Sequence, residues 1–170
     1  GVELRDYQRE AVDAVFREWG AGRSRTLLVQ ATGTGKTLCF AEVVRRVARE
    51  GGRSLVLAHR GELLEQAAGK IGGMTGLTCA TERAQSTSVG SWARVTVGSV
   101  QTLMREDRLR RLAPDRFSCV VVDEAHHSLA DGYVRILDHF GGARVLGVTA
   151  TADRADRRDL GEEVEIGGVV

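Results

Sequence analysis

The stretch "QATGTGKT", Gln30 to Thr37, lies between an apolar run and a segment patterned like a helix. Gly33 and Gly35 come just before Lys36 and Thr37, where that helix would start. Glycines let backbone N–H groups converge on one anion, and the amino end of a helix adds a favourable dipole. In such a loop Lys36 would reach the outer phosphates of a nucleotide, and the Thr37 hydroxyl would bind Mg²⁺. The generic pattern opens with a glycine five residues before the last glycine, and here that position is Gln30. The competing reading is a glycine turn with a chance Lys-Thr pair.

A phosphate-holding loop needs a carboxylate at the end of a neighbouring strand to hold the metal and orient water. "CVVVDEAHH" supplies it, because four apolar and small residues run directly into Asp123 and Glu124. Asp123 would hold Mg²⁺ through a water, and Glu124 would act as general base toward an attacking water. The adjacent histidines lack the i, i+4 spacing of a zinc site, and no HExxH is present.

The elements that must position these groups can be read from the apolar runs. "TLLVQA" (26–31), "SLVLAH" (54–59), "RVTVGSV" (94–100), "SCVVVDEA" (118–125) and "ARVLGVTAT" (143–151) suit strands buried on both faces of a parallel sheet. Helical patterns at 37–50, 61–71, 101–112 and 130–140 alternate with them. The expected fold is therefore α/β, a three-layer domain with right-handed βαβ units and a mainly parallel central sheet. Leu4, Tyr7, Ala11, Val15 and Trp19 share helical spacing, which predicts a helix before the first strand with these residues inward. The segment 77–93 reads as a short strand followed by an exposed loop.

Composition narrows the function classes. At 170 residues, with 42% hydrophobic and 28% charged residues, the chain has the make-up of one soluble globular domain. A net charge of +1 argues against bulk electrostatic attraction to nucleic acid, so any such binding must come from a local patch. Only two lysines occur, Lys36 and Lys70, which makes the loop lysine conspicuous. Cys39, Cys79 and Cys119 are isolated, with no metal spacing, and read as small core residues in a reducing compartment. No stretch is long enough to span a membrane and no signal-peptide profile opens the chain, so a cytoplasmic location is expected.

Together "ATGTGKT", "DEAH" and "TAT" at Thr149–Thr151 resemble motifs I, II and III of superfamily-two helicases. More narrowly the chain is similar to the DEAD/DEAH-box and type III restriction-subunit group, over roughly Leu4 to Asp156. The family's loop tolerates a non-glycine at the Gln30 position. The resemblance implies an ATP-binding RecA-like domain over 1–155, with ATP and Mg²⁺ as cofactors. Thr32, Gly33, Thr34, Gly35, Lys36 and Thr37 would bind the nucleotide, Thr37 and Asp123 the metal. Lys36, Asp123, Glu124 and His126 would form the catalytic set.

Weaker motifs gain meaning from the same resemblance. "LRDYQ" is similar to the adenine-reading segment, with Gln8 offering a paired amide and Arg5 and Tyr7 flanking the base or packing the helix. His59 and Arg60 in "LAHRGELLEQA", and Ser99, Gln101 and Thr102 in "VGSVQTL", resemble the segments that touch nucleic-acid backbone. Thr149 and Thr151 would couple the nucleotide to that surface through His126, although Ala152 stands where many members have proline. The family hydrolyses ATP between two RecA-like domains, and no arginine-finger segment is seen here. The expectation is the first half of a nucleic-acid helicase or translocase, with DNA favoured over RNA. Residues 156–170 would be an edge strand or the start of a linker to the second RecA-like domain. A P-loop ATPase or switch that never meets nucleic acid, and a non-catalytic interaction module, are the alternatives.

Overall fold

A computed structural model of the chain describes residues 3–30, 33–58, 62–83, 86–124 and 131–150. Among the described residues six strands form one sheet: β1 Arg25–Gln30, β2 Ser54–Leu57, β3 Cys79–Glu82, β4 Val95–Gly98, β5 Cys119–Asp123 and β6 Arg144–Ala150. The spatial order is β1-β6-β5-β2-β4-β3, and every pairing is parallel. The continuous Val and Leu runs follow from this arrangement, because successive residues point to opposite faces and both faces are covered.

One face packs against α1 Asp6–Gly20, α2 Gly33–Arg49 and α3 Leu64–Thr75. Leu28, Val56, Val97, Val121 and Val148 meet Val15, Val43, Val44 and Ile71 there. The other face packs against α4 Val100–Leu103, α5 Glu106–Leu109 and α6 Asp131–His139. Leu27, Leu55, Leu57, Val120 and Val122 meet Leu103, Leu109, Ile136 and Phe140 on that side. The result is the three-layer α/β domain that the alternation of runs implies.

Polar contacts fix α1 on α2. Arg46 bonds Asp13 at 2.7 Å and Glu42 at 2.8 Å, and its guanidinium lies 5.6 Å from the Phe16 ring centroid. Burial pushes the Glu42 carboxyl up, but Arg45 and Arg46 outweigh it and hold the group below its ordinary value. Gly76, in the left-handed region at φ 74°, caps α3 and accounts for its abrupt end.

Three sequence expectations need correction. Tyr7 is not a core residue: it is 55% exposed, and the neighbouring Gln8 is buried in its place. The Gln8 oxygen accepts from the Arg5 N–H at 2.8 Å, so end-capping of α1 decides which residue turns inward. The segment 101–112 is not one helix but two short ones, broken where Arg105 takes an extended conformation (φ −73°, ψ 130°). That break turns Arg108 inward toward Glu82. The loop after β3 is likewise not wholly exposed, since Ser88 is fully buried against Glu82, although Trp92 does face solvent.

Candidate nucleotide site

Lys36 lies in the first turn of α2, directly after β1, and Asp123 ends β5. Only β6 separates the two strands, which puts their carboxyl ends about 10 Å apart at ordinary strand spacing. A lysine side chain can bridge that interval. Lys36 Nζ sits 2.7 Å from Asp123 Oδ1 and 2.6 Å from Glu124 Oε1. Lys36 and Asp123 are both buried, at 4% exposure each. The loop and the acid pair therefore occupy the same end of the sheet, the end where open α/β sheets bind ligands.

Glu124 reaches the lysine by an unusual backbone route. Its φ is +54°, the single positive value at a non-glycine among the described residues. A left-handed glutamate costs roughly 1–2 kcal/mol, so the surrounding structure must hold it there. Sequence reading gave no sign of this feature.

Electrostatics tie the lysine to both acids. Burial lowers the Lys36 pKa, but the contacts and charges of Asp123 and Glu124 outweigh it and hold the ammonium above its ordinary 10.5. One ammonium nevertheless faces two carboxylates. Asp123 Oδ1 is buried and touches Nζ without an aligned hydrogen bond. A buried acceptor oxygen in an anionic corner, beside a helix amino terminus, fits a hard divalent cation or its water. Among the described residues no cluster of three or more His, Cys, Asp or Glu forms a metal cage of its own. Such a cation would have to share its shell with a ligand.

Other candidates fall as follows. Thr37 is half-buried one residue beyond Lys36, and the backbones of Gly33, Thr34 and Gly35 form the start of α2. Gln8 is buried at the amino end of α1, and Arg5 beside it is exposed. Thr149 is buried in β6, in register with Val29. Ser99 caps α4, its hydroxyl oxygen accepting from the Thr102 N–H at 3.1 Å, while Gln101 is exposed and Thr102 half-buried. These last three follow the carboxyl end of β4, on the same end of the sheet as Lys36. Thr32, His59, Arg60, His126, Thr151 and the segment 156–170 lie outside the described residues.

Burial pushes the Cys39 and Cys79 thiols up to about 11 and that of Cys119 up to about 12, so none is a thiolate at neutral pH. Among the described residues no helix is long and apolar enough to cross a membrane.

Residues 1–154 match the family model described as type III restriction enzyme, res subunit. The chain belongs to that family. The motif-based resemblance to superfamily-two helicases is thereby borne out. Among relatives of this res-subunit chain is a Saccharomyces cerevisiae protein named as an ATP-dependent helicase, IRC3. It is 36% identical over 171 residues, an alignment that covers 92% of this chain and 24% of the yeast protein. The Sulfurisphaera tokodaii protein named DNA 3'-5' translocase XPB2 is 28% identical over 171 residues, covering 99% of this chain and 35% of its own length. In structure the chain is similar to the UvsW helicase from bacteriophage T4, with a TM-score of 0.72 at 19% identity. That match covers 97% of this chain and 60% of the phage protein, and shows a shared RecA-like fold. This chain thus spans about a quarter of the yeast relative and about a third of the archaeal one.

Proposed function

We propose that this chain is the ATP-binding RecA-like half of a nucleic-acid helicase or translocase, acting on DNA. The observation that carries the reading is the meeting of Lys36, Asp123 and Glu124 within 2.7 Å at the carboxyl ends of parallel strands. Membership of the res-subunit family supports it, as do the printed names of the relatives.

Lys36 leaves its carboxylate partners to meet the outer phosphates of ATP, exchanging one buried charge contact for another. Asp123 and Thr37 would hold Mg²⁺, which would supply charge neutralisation. Glu124, freed from the lysine, takes the proton of the attacking water. Gln8, whose oxygen accepts from the Arg5 N–H, reads the adenine. His126, Thr149 and Thr151 relay the state of the nucleotide.

The nucleic acid runs across the edge formed by Ser99, Gln101 and Thr102, with His59 and Arg60 contributing further contacts. Neutral donors of this kind hold a backbone without reading its bases. A second RecA-like domain supplies the arginine that completes hydrolysis, and residues 156–170 lead toward it from the domain formed by 1–155. Fluorescence anisotropy with a labelled single-stranded oligonucleotide at two salt concentrations tests the nucleic-acid half of the proposal. Salt-dependent binding weakened by Gln101→Ala is expected. ATP binding with no measurable oligonucleotide affinity would instead indicate a P-loop ATPase of another class.

A further inference from the structure

We propose that Glu82 is the positioning residue of the candidate nucleic-acid edge, holding both ends of the segment that presents Gln101 and Thr102. The proposal rests on the reading of that edge given above. At the near end, the Glu82 carbonyl oxygen accepts from the Ser99 N–H at 3.3 Å. At the far end, its carboxylate Oε2 accepts from Arg108 of α5 at 2.6 Å, with the two side chains 2% and 7% exposed. The other carboxylate oxygen accepts from Thr87 Oγ1 at 2.7 Å, Ser88 N at 2.7 Å and Ser88 Oγ at 3.0 Å. Arg108 also donates to the Ser86 carbonyl at 2.8 Å. One residue at the end of an edge strand thus ties the start of α4, through its main chain, and α5, through its side chain, to the sheet.

The segment between these anchors has little freedom. A Cβ on Gly98 would lie 2.4 Å from Leu103 Cδ1, so Leu103 packs directly over the strand end. Ser99 caps the turn, and Leu103 N–H bonds back to the Ser99 carbonyl at 3.0 Å. An apolar pair could fill the place of Glu82 and Arg108 at similar or better stability, because buried ion pairs pay a large desolvation cost. What the ion pair adds is a fixed register between β3 and α5, and therefore a fixed reach for the polar edge between them.

The test compares Glu82→Gln with the unchanged 170-residue chain. The substitution keeps the shape and one acceptor oxygen, but sets an amide donor against Arg108. Expected is a loss of oligonucleotide affinity of about fivefold or more, in the range of energetic coupling between linked sites. ATP affinity stays unchanged, because β1, α2 and β5 carry that site. Amide exchange at Leu103 and Met104 accelerates while exchange at Leu27 and Leu28 does not. Should Glu82→Gln lose ATP binding as well, and hence its fold, Arg108→Met carries the same comparison, since it fills similar space and donates to neither Glu82 nor Ser86. Gln101→Ala serves as the control on the edge itself. If it weakens oligonucleotide binding while the ion-pair variant does not, the positioning role is overturned. If Gln101→Ala has no effect, the edge reading fails, and this proposal with it.

Discussion

At the scale of single residues, the site turns on Lys36 and the two acids it touches. Lys36→Ala removes a buried charge partner, and ATP affinity is expected to fall by roughly 2–5 kcal/mol, read by calorimetry. Unchanged affinity would contradict the phosphate-loop assignment. Glu124→Gln should retain ATP binding while slowing hydrolysis by the complete motor at least about a hundredfold, measured in a single-turnover assay. These residues were legible in the sequence because a phosphate loop and a strand-end acid pair impose types and spacings that chance seldom supplies. The inward turn of Gln8 in place of Tyr7 was not legible. Helical periodicity permits either neighbour to face the core, and the Gln8 to Arg5 capping bond decides. The positive φ of Glu124 was hidden for a related reason, since only the surrounding fold can enforce it.

At the scale of elements, close packing and one buried ion pair set the edge of the sheet. Gly98→Ala drives a methyl group into fully buried Leu103 and should destabilise the chain by about 1–3 kcal/mol, measured by denaturant unfolding. The Glu82 carboxyl provides a pH-dependent counterpart. Burial raises its pKa, but Arg108 and the Ser88 and Thr87 bonds outweigh that and hold it below 4.5. A depressed carboxylate contributes stability that is present above 4.5 and lost as pH falls through the lowered value. Melting temperature should therefore drop on acidification below 4.5, and drop less steeply in Glu82→Gln; equal slopes would contradict the account. The strands were readable from their apolar runs, since a buried parallel sheet demands them. The split of 101–112 into α4 and α5 was not, because a helical pattern cannot reveal that Arg108 must reach a carboxylate 26 residues earlier.

At the scale of the whole molecule, the chain brings Lys36, Asp123 and Glu124 together at one end of a parallel sheet. The yeast and archaeal relatives are about three to four times as long, as the coverage of 24% and 35% implies. An arginine supplied from a facing domain contributes about 10³–10⁵ in rate. The 170-residue chain alone should bind Mg-ATP yet hydrolyse it very slowly, and a phosphate-release assay with excess oligonucleotide would show robust turnover if this is wrong. The most direct test of the convergence of loop and acids on a metal-bound triphosphate is calorimetric titration of ATP with and without Mg²⁺, on the unchanged chain and on Asp123→Asn. The account predicts that Mg²⁺ strengthens ATP binding to the unchanged chain and that Asp123→Asn abolishes most of that gain. Equal affinity under all four conditions would contradict it.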